Sequence, residues 1–141
     1  MPKVLILIGS KSDMQYAEEC QKLLDTYGIE NTLEVSSAHR EPDKTDKLAR
    51  GAAESGYEVV ICMAGMAAAL PGVVAARTRL PVIGVPLPAS LDGIDSLLAI
   101  VQMPSGVPVA TMGIGKAGAK NAAVLAARIL GVKYPEINKR L

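Results

Sequence analysis

The chain has no Trp and no Phe, only one His and two Cys, and four Tyr as its large aromatics. Each scarcity closes off a class of function. Without Trp or Phe there is little to stack on bases, and no long basic stretch makes up for it. With 15 basic and 14 acidic residues the formal net charge is +1, so nucleic-acid binding is not expected. A single His and no Cys-x-x-Cys are too few ligands for a zinc site, and no metal is expected. Cys20 falls in a helical pattern and Cys62 in an apolar run, which predicts two buried, reduced thiols. No apolar run reaches the roughly 18 residues a membrane helix needs. The run Val4 to Ile8 follows Met-Pro-Lys directly and is too short for a signal peptide. A cytoplasmic protein without a membrane partner is expected.

What is abundant is small and aliphatic. Half of the 141 residues are hydrophobic, and 13 are Gly. That is enough apolar surface for one domain spanning residues 1–141. Small-residue surfaces also suit close helix approach and close subunit packing.

Continuous apolar runs alternate with helical patterns. Val4–Ile8, Val59–Met63 and Val82–Val85 read as strands buried on both faces, the signature of a parallel sheet. Thr32–Val35 and Val107–Thr111 are weaker strands. Ser12-Asp13-Met14-Gln15 fits a Ser-x-x-Gln capping box opening a helix that Gly28 stops after Tyr27. Pro42 opens a second helix ending near Gly56. A third is expected over Ala68–Thr78, a fourth from Asp92 or Gly93, and a last from Lys116 to Leu130 with Gly131 as its cap. The polar stretch Lys133–Leu141 is expected to fray or to dock on a neighbour. Five β-α repeats with right-handed crossovers give an α/β three-layer sandwich, flavodoxin-like, with a five-stranded parallel sheet in the order 2-1-3-4-5.

In such a sheet ligands bind beyond the carboxyl ends of the strands, where the strand order reverses. Three loops should converge there. The first has Gly9, where backbone can approach a ligand, then Ser10, Ser12 and Asp13 at a helix start. That set suits phosphate and sugar hydroxyls, or it merely caps the helix. It is not a Walker A loop, because Gly-Lys-Ser/Thr is missing. The second has Ser36, Ser37 and Ala38, the single His39, and Arg40, whose guanidinium can fork onto phosphate. A lone His is often structural. At a strand end in the crevice, however, an imidazole can give and take a proton near neutrality. The third, Ala64 to Gly72, offers few functional side chains. Gly65, Met66, Ala67, Ala69 and Leu70 supply backbone N–H groups and shape for an anion or a flat ring, or they form a tight turn only. Gly113-Ile114-Gly115-Lys116-Ala117-Gly118 matches G-x-G-x-x-G, but it sits at the last β-α unit with no further strand to complete a dinucleotide site. It reads as a tightly packed helix entry.

Taken with Ser37-Ala38-His39-Arg40, the stretch Gly9-Ser10-Lys11-Ser12-Asp13 resembles the class I N5-carboxyaminoimidazole ribonucleotide mutase family of purine biosynthesis. Leu70-Pro71-Gly72, Leu91-Asp92-Gly93-Ile94-Asp95-Ser96, Gln102-Met103-Pro104-Ser105-Gly106 and Gly115-Lys116-Ala117-Gly118 extend the likeness over nearly the whole chain. The resemblance implies a homo-octamer that needs no metal and no cofactor and acts on a small ribonucleotide with carbon dioxide as an intermediate. It implies conversion of N5-carboxyaminoimidazole ribonucleotide to its 4-carboxy isomer by decarboxylation and recarboxylation, with His39 as proton shuttle. Ser10, Asp13 and Arg40 match the ribose- and phosphate-binding positions. The Ala64–Gly72 loop matches the segment that closes over the reacting group. Two features depart from the family. Ala69 stands where the family often has His before Leu-Pro-Gly, and Leu141 is the last residue where many relatives continue. Two rivals follow: direct carboxylation of aminoimidazole ribonucleotide with carbon dioxide, and a non-catalytic ribonucleotide-binding homologue. A phospho-receiver is disfavoured because its acidic cluster is missing, and a flavin module because no aromatic residue is placed for the ring.

Overall fold

In the computed structural model, which describes residues 2–141, the apolar runs become five strands. These are β1 (Lys3–Ile8), β2 (Glu30–Val35), β3 (Val59–Gly65), β4 (Val82–Leu87) and β5 (Ala110–Thr111). All pair in parallel, in the order β2-β1-β3-β4-β5. The flavodoxin-like α/β fold and the strand order both agree with expectation. Six helices accompany the sheet: α1 (Met14–Thr26), α2 (Pro42–Gly51), α3 (Leu70–Ala75), α4 (Ile94–Val101), α5 (Lys116–Gly131) and α6 (Pro135–Asn138).

Strand residues alternate between two cores because successive side chains point to opposite faces. Val4, Ile6, Ile8, Ile61 and Met63 pack with α1, α5 and α6, while Leu5, Leu7, Val60 and Cys62 pack with α2 and α3. Each core needs apolar residues, so β1, β3 and β4 carry no polar alternation, whereas the edge strand β2 (Glu30–Val35) mixes polar and apolar residues. On α5, Ala119, Ala122, Ala123, Ala126 and Ala127 are buried among these residues. Their small side chains let α5 lie close to α1. On the opposite face, a Cβ on Gly84 would meet Ile100 Cγ2 at 2.7 Å and Val109 Cγ1 at 2.8 Å. Only glycine lets α4 and the β5 approach pack this near the sheet.

Several boundaries differ from the sequence reading. The capping box does not form. A 3-10 turn over Lys11–Asp13 precedes α1, capped by Ser10, whose Oγ accepts from Ser12 N–H at 3.3 Å. Asp13, at the N-cap of α1, makes no side-chain capping bond. Helix α3 is shorter than expected at both ends. Strand β5 keeps only two of the five expected residues. Gly131 is the last helical residue of α5 rather than its cap, and its missing side chain accommodates Asn138 Cβ at 3.4 Å. The C-terminal stretch does not fray. It forms α6 on its own chain, with Ile137 buried and Glu58 accepting from Lys133 Nζ (2.9 Å) and Tyr134 Oη (2.7 Å). Cys20 and Cys62 are free and buried, as expected. No helix of the described residues is long and apolar enough to cross a membrane.

Candidate active site

The parallel register sets the ends of three strands level. Ile8 pairs with both Val35 and Met63. Backbone bonds continue this alignment into the loops: Gly9 N–H donates to Met63 O (3.2 Å) and Ser36 N–H to Ile8 O (2.9 Å). The first and second predicted loops therefore start side by side, with the third at the end of β3. All three line one cleft of about 440 Å³, a size suited to a small ligand.

From the first loop Gly9, Ser10, Ser12 and Asp13 line the cleft. Ser12 Oγ donates to Ser10 Oγ at 3.0 Å, which holds both hydroxyls together at the rim. The Asp13 carboxylate is half-buried. Burial pushes its pKa above the usual carboxylate value, and the backbone bond to Ser10 opposes that only in part. With no capping duty, it is an acceptor available to a ligand hydroxyl.

The second loop brings Ser37, Ala38, His39 and Arg40 to the same cleft. It is a tight turn. Arg40 N–H donates to Ser37 Oγ (3.1 Å), and Glu41 N–H donates to Ser37 O (2.8 Å). Lys44 Nζ donates to Val35 O at 2.6 Å and closes the strand end from outside. His39 and Arg40 are exposed at the cleft wall.

The third loop supplies Ala64 through Leu70. Met66 holds φ at 56° and is 58% exposed, so a bulky residue occupies the left-handed region at the cleft's edge. Such a conformation is costly and persists only where the surrounding structure enforces it. Gly65 lies where a Cβ would come within 3.4 Å of Leu87 O, so the loop hugs the end of β4. Ala69 is the N-cap of α3 and contributes no functional group, leaving the nearby N–H groups without a side-chain cap.

Every predicted site residue thus lines this cleft, and further residues join it. Gln15 and Tyr16 complete one wall, and Leu87, Pro88 and Ala89 another. The helical spacing from Ser12 to Gln15 and from Asp13 to Tyr16 carries a signal for the first pair. The β4 end gave none, because Pro88 and Ala89 have no polar side chain. The G-x-G-x-x-G stretch is a packed entry, as read. A Cβ on Gly118 would overlap the Gly113 carbonyl. Among the described residues, no group of three or more His, Cys, Asp or Glu gathers as metal ligands.

With this geometry established, comparison with known proteins is specific. The AIR carboxylase family matches residues 3–141. The N5-carboxyaminoimidazole ribonucleotide mutase of Pyrococcus abyssi is 54% identical over 100% of this chain and 80% of its own length. That of Escherichia coli K12 is 52% identical over 99% of this chain and 83% of its own. Treponema denticola PurE superposes with a TM-score of 0.89 at 34% identity, covering 99% of this chain and 87% of that one. A fold shared over its whole length, and about half of its residues in common with these mutases, make the chain a member of the AIR carboxylase family.

Proposed function

We propose that residues 1–141 act as one nucleotide-binding catalytic domain that isomerises N5-carboxyaminoimidazole ribonucleotide to 4-carboxy-5-aminoimidazole ribonucleotide. The observation that carries this reading is the meeting of His39 with the serine-rich first loop and the Ala64–Leu70 loop in one cleft, in a chain whose relatives at 52–54% identity are named for that reaction.

The chemistry fits the groups available. The N–C bond to the carboxyl breaks, the exocyclic 5-amino nitrogen gains a proton, and carbon dioxide stays in the cleft. The electron-rich C4 of the imidazole then attacks it, and C4 loses its proton. One group that gives and then takes a proton suffices, because the substrate supplies its own nucleophile. His39, the only imidazole of the chain, is that group. Gly9, Ser10, Ser12, Asp13, Ser37, Ala38 and Arg40 hold the ribose and phosphate. Gly65, Met66, Ala67, Ala69 and Leu70 close over the carboxyl group with backbone N–H donors. No cofactor is required by this scheme. The enzyme works in the cytoplasm as a homo-octamer. Supporting association, Leu91 in the turn before α4 and Ile94, Leu98 and Val101 on α4 form an apolar stripe, each between 49% and 63% exposed.

Ala69, and the carboxylase name of the family, favour direct carboxylation of aminoimidazole ribonucleotide as the second reading. Turnover of the two substrates, measured side by side without ATP, tests both. The 4-carboxy product should form from the N5-carboxy ribonucleotide far faster than from aminoimidazole ribonucleotide plus bicarbonate. The reverse ranking would establish the carboxylase. Tight calorimetric binding with no product from either would leave a ribonucleotide-binding homologue.

A further inference from the structure

Behind the His39 turn lies a chain of hydroxyls that faces away from the cleft. Ser36 and Thr45 are both fully buried, and their hydroxyl oxygens lie 2.6 Å apart. Thr45 Oγ1 also donates to Ser37 O at 3.3 Å. A hydroxyl has a single proton, so this bond fixes the direction of the chain. Ser36 donates to Thr45, and Thr45 donates to Ser37.

A threonine inside a helix ordinarily returns its hydroxyl to the carbonyl four residues back. Thr45 instead reaches eight residues back, past the start of α2, to the carbonyl that anchors the turn. The Ser37 carbonyl therefore has two donors, Thr45 Oγ1 and Glu41 N–H. Because the peptide is planar and trans, fixing that carbonyl also fixes the Ala38 N–H on its opposite side. Among the described residues the Ala38 N–H meets no protein acceptor, and Ala38 lines the cleft.

We infer that Thr45 is a positioning residue of this site. Its buried hydroxyl, oriented by Ser36, locks the Ser37–Ala38 peptide and so sets both the His39 turn and an N–H donor for the anionic substrate. The inference rests on the reading of this cleft as the catalytic one, but its physical content can be measured apart from turnover.

The test compares Thr45→Val, which keeps shape and removes the hydroxyl, with Thr45→Ser, which keeps the hydroxyl. Loss of one buried hydrogen bond should speed amide exchange at Arg40 and Glu41 about tenfold in the Val variant, with Leu7 in β1 unchanged. The kcat for the N5-carboxy ribonucleotide should fall by about the same factor with KM within about twofold, and Ser should restore both. Ser36→Ala should give an intermediate loss, and it serves if the Val variant does not fold. Unchanged exchange at Arg40 and Glu41, or a Ser variant as impaired as Val, overturns the inference. If the wild-type chain has no turnover, the functional reading fails, and the exchange data still decide the role of Thr45.

Discussion

Arg77, just past α3, donates from Nε to Asp46 Oδ1 on α2 at 2.6 Å, and Arg50 Nε reaches the same oxygen at 2.9 Å. Helix α2 begins at the His39 turn and α3 at the end of the Ala64–Leu70 loop. One carboxylate thus ties two walls of the cleft together from behind. Arg77 also donates to Val73 O at 3.0 Å, which holds its guanidinium against α3.

The hydrogen bonds from Arg77, and then from Arg50, hold the Asp46 carboxyl below the usual carboxylate range. A carboxylate whose pKa is lowered by folding stabilises the native state at neutral pH. That contribution is lost as pH falls through the folded pKa. Asp46→Asn should therefore lower Tm modestly at pH 7, since the pair is partly exposed and screened. The gap from wild type should close as pH falls through and below the ordinary carboxylate range. A gap that stays constant over that range would show that the carboxylate's charge is irrelevant.

Replacing His39 by Asn should preserve ribonucleotide binding in calorimetry while product formation drops by about 10²- to 10⁴-fold. Retained turnover would remove His39 from the proton path and shift attention to Asp13, whose half-buried carboxyl already has a raised pKa.

Burial pushes the Cys20 thiol up to about 12 and Cys62 higher still. Neither thiolate forms at ordinary pH, and neither sulfur is reachable. Native protein at pH 8 should leave a thiol-specific disulfide reagent unreacted, and denaturant should release both thiols at once. Rapid labelling of one thiol in the folded protein would indicate an opening that the packing does not suggest.

The α4 stripe can be tested by charge. Leu98→Glu should leave the fold intact, because Leu98 is exposed in the single chain, yet it should shrink the particle in sedimentation velocity if copies pack there. An unchanged particle size would place the subunit contacts elsewhere.

Much of this was legible because the strands are buried twice. Val4–Ile8 and Val59–Met63 carry an unbroken apolar signal, and parallel topology then sets which ends meet. Once the topology is given, His39 and the first loop had to share an edge. What escaped was local competition. Ser10, Ser12 and Asp13 can each cap a helix, and the sequence does not say that Ser10 prevails by gathering both the Ser12 N–H and hydroxyl. Val107–Thr111 looked extended, but Pro108 lacks an N–H and Gly106 turns the chain at φ 94°, so only Ala110 and Thr111 reach β4. The Pro88–Ala89 wall was invisible because it shapes the cleft without a functional group.

The brevity of β5 has a consequence for how the molecule behaves in a crowd. A sheet margin with unpaired backbone is an invitation for a foreign strand to add itself. Here that margin is two residues long, too little ladder for a stranger to grip. Growth of the sheet into an aggregate is thus discouraged on that side by geometry alone, with no charged guard residue required.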